Sequence, residues 1–235
     1  MLVPIQTLCT RTFGRLAKIL RPYGEHPLQI NALLAVTLIA LTINTSARAN
    51  SDDIQILALG DSLTAGYGLS QSEAFPTRLA AALREKGIAT EIVNAGVSGD
   101  TTSGALQRLD WLLDRPFKLA IVELGANDAL RAVSPDLTRQ NLETIIRKLK
   151  ATGTTVLLAG MKAPRNLGPD FAKEFDPIFP ELAKSLDLQF YPFFLDGVAA
   201  DPYLNQGDGM HPNAKGVAII VERMLPFVMR ALGKE

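Results

Sequence analysis

From Ser51 onward the chain alternates short apolar runs with longer stretches of helical periodicity. Ile54–Leu59, Thr90–Asn94, Leu119–Leu124, Thr155–Ala159 and Gln189–Phe194 are apolar with little polar alternation. That pattern predicts strands covered on both faces. Between and after them, helices are predicted over Pro76–Lys86, Thr101–Asp114, Asp136–Ala151, Pro177–Leu186 and Pro212–Leu232. Gly87 and Gly153 stand just past two of these, where a helix-ending glycine belongs, and Pro212 stands where a helix can begin without an amide to spare. Strand followed by helix, repeated along the chain, predicts a parallel sheet with helices on both sides: a three-layer α/β/α sandwich in one domain.

The first fifty residues follow a different pattern. Arg11, Arg15, Lys18 and Arg21 precede an apolar stretch from Ala32 to Ile43, and Ala47-Arg48-Ala49 follows it. A basic segment, a short apolar segment and a small-x-small site are the marks of a secretory signal peptide. The apolar stretch is short for a membrane span. Residues 1–49 are therefore expected to be a leader removed after Ala49, leaving residues 50–235 as a secreted, periplasmic protein without stable membrane insertion. An uncleaved signal anchor, or a start site set too far upstream, would look similar.

Composition then narrows the chemistry. Formal net charge is zero, which provides no electrostatic footprint for nucleic acid. Cys9 is the one cysteine and lies in the leader, so disulfides and thiolate chemistry play no part in the mature chain. Of two histidines, His26 is also in the leader, which leaves His211 as the sole imidazole for acid–base work near neutral pH. One histidine and no cysteine also make metal catalysis a poor reading. No metal and no cofactor are expected.

In an open parallel sheet the ligand site lies at the carboxyl ends of the strands. Four polar, glycine-rich segments fall there: Gly60-Asp61-Ser62, Asn94 to Asp100, Gly125-Ala126-Asn127-Asp128, and the loop holding Asp208 and His211. Ser62, where a strand turns into a short helix, is placed for attack on a carbonyl, although a helix-capping serine is the commoner use of such a position. Gly60-Asp61-Ser62-Leu63-Thr64 is not the G-x-S-x-G elbow, which disfavours an α/β-hydrolase. Asp208 and His211 are close enough for a carboxylate to orient the ring, with Asp61 and Asp128 as competing partners. Gly99 and Asn127, with the Ser62 amide, could supply three donors to a tetrahedral oxyanion, or could simply be turn residues.

Taken together, these segments resemble the SGNH, or GDSL, hydrolase family. Gly60-Asp61-Ser62-Leu63 matches its nucleophile block, Gly99 stands at its glycine block, Gly125-Ala126-Asn127-Asp128 matches G-x-N-D, and Asp208-Gly209-Met210-His211 matches D-x-x-H. The blocks occur in family order across essentially the whole mature chain. Within the family, stretches such as Ser98-Gly99-Asp100-Thr101 and Gly209-Met210-His211-Pro212-Asn213 are similar to periplasmic bacterial arylesterases, acyl-CoA thioesterases and lysophospholipases. The resemblance implies a flavodoxin-like strand order 2-1-3-4-5. It also implies Ser62 as nucleophile, His211 as base, Asp208 as its orienter, and Ser62, Gly99 and Asn127 as oxyanion donors. Ala163 and Pro164 fall in the loop expected to contact substrate, and Ala163 replaces a bulkier aliphatic residue of a similar enzyme.

The expected activity is hydrolysis of small acyl esters or thioesters by a monomer. A carbohydrate O-acetylesterase or acetyltransferase on the same scaffold is the nearer alternative, and a non-catalytic binding protein the more distant one. Phe171, Phe175, Phe179 and Tyr191 could line an acyl channel, although their spacing also suits a core.

Overall fold

A computed structural model describes residues 53–234. The expected leader and its cleavage point after Ala49 lie outside the described residues. Five strands, β1 (Ile54–Gly60), β2 (Thr90–Gly96), β3 (Leu119–Glu123), β4 (Thr155–Ala159) and β5 (Gln189–Tyr191), form one parallel sheet in the order β2-β1-β3-β4-β5. The order expected from the resemblance is the order observed. β3 is buried along its whole length, and β1 and β4 nearly so, whereas β2 leaves Glu91 and Asn94 exposed. The expectation of cover on both faces thus fails for β2, because an edge strand has a neighbour on one side only.

Among the described residues eight α-helices accompany the strands: α1 (Ser62–Ala65), α2 (Phe75–Glu85), α3 (Thr102–Leu112), α4 (Ala126–Leu130), α5 (Pro135–Ala151), α6 (Pro169–Phe175), α7 (Ile178–Ser185) and α8 (Ala214–Ala231). α2 packs against α8, and α3 against α5, giving a helical layer on each side of the sheet. The apolar stripe of α5, Leu142, Ile145, Ile146 and Leu149, is fully buried, as helical periodicity requires of a core-facing helix.

Most predicted bounds shift by a residue or two, and three differences matter more. The last strand stops at Tyr191, three residues early, because Phe193 and Phe194 belong to a loop and only Phe194 enters the core. The last helix begins at Ala214 rather than Pro212: the Asn213 side chain accepts the amides of Lys215 (3.0 Å) and Gly216 (3.2 Å) and so caps it. Pro212 instead pairs with Asn205 in an isolated antiparallel bridge. Short α6, preceded by a turn of 3-10 helix at Arg165–Leu167, was not predicted at all.

The register places the site. Gly60 at the end of β1 lies beside Gly96 of β2 and Glu123 of β3, and Glu123 beside Ala159 of β4. The connection from β1 leads to one side of the sheet, while β3 and β4 continue on the other. This reversal opens a crevice at the carboxyl ends of the central strands.

Candidate active site

Ser62 starts α1, separated from the end of β1 by Asp61 alone. The turn is made by Asp61, whose Oδ1 accepts the Leu63 amide at 3.0 Å as a helix cap. Its Oδ2 accepts Asn127 Nδ2, also at 3.0 Å, which ties the turn to α4 at the end of β3. Asp61 is completely buried. That burial pushes its carboxyl up to about 6, with the Asp100 carboxylate acting in the same direction; the Leu63 amide, Asn127 and His211 oppose the rise.

Asp208 and His211 sit on a small hairpin loop. It is closed by the Asn205–Pro212 bridge and by the Gln206 amide donating to the His211 carbonyl at 2.8 Å. Asp208 Oδ1 accepts the amides of Met210 (2.9 Å) and His211 (3.0 Å), and Oδ2 meets His211 Nδ1 at 2.6 Å. The His211 amide, then the Met210 amide, then the ring hold this carboxyl down to about 2. The other ring nitrogen, Nε2, lies 2.9 Å from Ser62 Oγ. With its proton on Nδ1 and donated to Asp208, the ring leaves Nε2 free to accept from the Ser62 hydroxyl.

The rival carboxylates are otherwise engaged. Asp128 accepts the Thr102 amide (2.9 Å) and hydroxyl (2.6 Å) and fastens α4 to α3, while Asp61 caps the serine turn. Asp208 is therefore the carboxylate joined to the ring.

Gly99 adopts φ of +82° in the turn after β2, and Arg131 Nη2 donates to its carbonyl at 2.7 Å. Ser62, Gly99, Asn127 and His211 line one end of a cleft of about 770 Å³, a size suited to a small ligand. Ala163 and Pro164 line the same cleft, with Met161, Phe193 and Leu195 adding apolar surface. The proposed acyl channel of phenylalanines does not form. Phe175 and Phe179 are fully buried, Phe171 stacks on Phe175 at 5.6 Å, and Tyr191 packs edge-on against Phe227. These rings serve the core, and Phe193 is the phenylalanine that faces the cleft.

Several neighbours of the site were not anticipated. Tyr67, about half exposed, lays its ring 4.6 Å from that of His211. Arg108 donates through Nε to Asp100 (2.8 Å) and through Nη2 to the carbonyls of Gly60 and Ala95. Glu123 is buried beneath the serine turn. A signal existed for the last of these: an acidic residue inside an apolar strand run demands an explanation. Among the described residues no group of three or more histidine, cysteine or acidic side chains is placed to hold a metal ion.

A hydroxyl, an imidazole and a carboxylate in one hydrogen-bonded line, at the switch point of a parallel sheet, define a serine ester hydrolase. Known proteins agree. The family model for GDSL-like lipases and acylhydrolases matches residues 58–219, and the chain belongs to that family. It is 40% identical over 170 residues to thioesterase 1/protease 1/lysophospholipase L1 of Escherichia coli strain K12, covering 72% of this chain and 80% of that one. It is 38% identical over 181 residues to an arylesterase of Vibrio mimicus, covering 77% and 88%. Among solved structures, AlinE4, an SGNH-hydrolase family esterase, aligns with a TM-score of 0.66 and 49% identity over 77% of this chain and 97% of that chain.

Proposed function

We propose that the chain hydrolyses carboxylic esters and thioesters of small acyl substrates through an acyl-enzyme on Ser62. His211 takes the hydroxyl proton as Ser62 Oγ attacks the carbonyl carbon, and Asp208 steadies the ring and the imidazolium that forms. The amides of Ser62 and Gly99 and the side chain of Asn127 hold the oxyanion. Collapse of the tetrahedral species expels the alcohol or thiol, protonated by His211, and water then repeats the sequence to release the acid. Ala163 and Pro164 contact the acyl portion. Aryl esters, acyl thioesters and lysophospholipids are the substrate classes suggested by the names of the relatives. The reading includes a monomer, and export to the periplasm with cleavage after Ala49, the latter supported by the charge and apolar pattern of residues 1–49.

The observation that carries the mechanism is the Ser62–His211–Asp208 line, at 2.9 and 2.6 Å. A fluorophosphonate should label the wild-type protein on Ser62, and Ser62→Ala should lose labelling together with about a millionfold of kcat. A folded Ser62→Ala protein with substantial ester hydrolysis would sink the assignment. Running aryl esters and thioesters of increasing chain length beside acetylated sugars would identify the preferred class.

A further inference from the structure

The acyl-transfer sequence leaves one buried ionisable group beside Ser62 without a part. Glu123 ends β3 opposite Gly60, and no portion of it reaches solvent. The Thr64 hydroxyl donates to its Oε2 at 2.7 Å, and the backbone amides of Asp61 and Thr64 also donate to the carboxyl. The residues flanking Ser62 on both sides thus hang from one side chain. Oε1 has no hydrogen-bond partner among the described residues. The fit is close: a Cβ added at Gly60 would come within 2.7 Å of Oε2 and 2.0 Å of Thr64 Oγ1. Only glycine at position 60 allows the carboxyl to lie against the turn.

The electrostatics of this corner are one-sided. From the end of β1 the Asp61 carboxyl faces Glu123, and among the described residues no cation pairs with Glu123. Beyond Asp61 lie the Asp100–Arg108 ion pair, whose Arg108 also donates to the Gly60 carbonyl, and His211 from the hairpin loop. Burial pushes the Glu123 carboxyl well above the ordinary glutamate range, and Asp61 pushes it further; the Thr64 hydroxyl and the two amides pull it down by less. A charge placed there would be dry and repelled.

We propose that Glu123 is a positioning residue for the reaction at Ser62: its buried carboxyl, accepting the Thr64 hydroxyl and lying against Gly60, holds the Asp61–Thr64 turn in reactive geometry. The inference rests on Ser62 as nucleophile. It makes Glu123 a support of the serine turn, separate from the acid–base work of His211.

The test is kcat and KM for a soluble aryl ester at neutral pH, with thermal melting, in wild type, Glu123→Gln and Glu123→Ala. Glu123→Gln, nearly isosteric and still able to accept the Thr64 hydroxyl, should stay within a few fold of wild type. Glu123→Ala should lose at least about tenfold in kcat with little change in KM, which the cleft around Ala163 sets. The proposal is overturned if folded Glu123→Ala keeps near-wild-type kcat, if its loss falls on KM instead, or if a Glu123→Gln protein that melts like wild type loses tenfold or more in kcat. Should Glu123→Ala fail to fold, the glutamine comparison decides alone. Failure of the Ser62 reading is distinguishable, since it would appear as turnover surviving Ser62→Ala.

Discussion

At the serine turn, the Asp61 carboxyl is completely buried and pushed up to about 6, whereas in the histidine loop the Asp208 carboxyl, 32% exposed, is held down to about 2. These two carboxyls stand on either side of one hydrogen-bonded contact, Ser62 Oγ to His211 Nε2. The turn is organised by partners far away in the chain, 66 residues in the case of Asn127 and 59 between Thr64 and Glu123. The loop is organised by amides two and three residues on from Asp208. The difference shows how one site can combine two forms of preorganisation. Burial fixes the serine turn at an electrostatic cost, and local hydrogen bonding fixes the Asp208 carboxylate in its charged form beside the His211 ring.

Removing the local device should have the largest effect. Asp208→Ala is expected to lower kcat on the order of ten-thousandfold, since the ring loses its orienting partner. Its melting temperature should barely move, because the lost interactions lie on an exposed loop. A folded Asp208→Ala enzyme with near-normal kcat would mean that Asp61, not Asp208, supports the ring.

Asn127 belongs to both descriptions, because its amide steadies Asp61 and also faces the cleft. Asn127→Ala should lower kcat roughly a hundred- to a thousandfold with a smaller change in KM. Asn127→Asp should be at least as harmful, since it sets a second carboxylate against Asp61 Oδ2 and against the developing oxyanion. Steady-state kinetics on folded variants decide: near-normal turnover in Asn127→Asp would reduce Asn127 to a turn residue.

The smallest effect, and the sharpest test of the contrast, is in stability against pH. A carboxyl raised by folding, such as Asp61, favours the native state in acid and loses that contribution as pH rises from about 4 to about 6. A depressed carboxyl, such as Asp208, contributes stability above about 4 and loses it as pH falls toward 2. Asp61→Asn should therefore flatten the decline in unfolding free energy between pH 4 and 6, by up to about 3 kcal/mol. Asp208→Asn should alter only the acid side, by less than about 1 kcal/mol, because solvent screens it. Urea denaturation across that range measures both. Equal slopes in wild type and Asp61→Asn would show that Asp61 is not strained by burial.

Much of this molecule was legible beforehand, for reasons visible in particular segments. Thr155–Ala159 is a strand with the predicted ends because a compact apolar run bounded by Gly153 and Gly160 leaves little choice. Asp208 and His211 read correctly as neighbours because their spacing permits a single turn. The phenylalanines were harder: Phe171, Phe175 and Phe179 sit at intervals that fit a core or a channel equally, and periodicity cannot say which side of a wall a ring faces.

By itself, then, the sequence determined what is written in local order: strand and helix periods, the glycines after α2 and α5, and a carboxylate within one turn of the only histidine among residues 50–235. Tertiary structure alone decided that Asp61 is buried, that Asp128 turns to Thr102 rather than to His211, that Phe193 faces the cleft, and that Glu123 lies under the serine turn. The physical reason is range. Backbone propensity and short hydrogen bonds act over a few residues and leave a mark in the chain, whereas burial and the pairing of distant carboxyls depend on sheet register, which exists only once the strands have met.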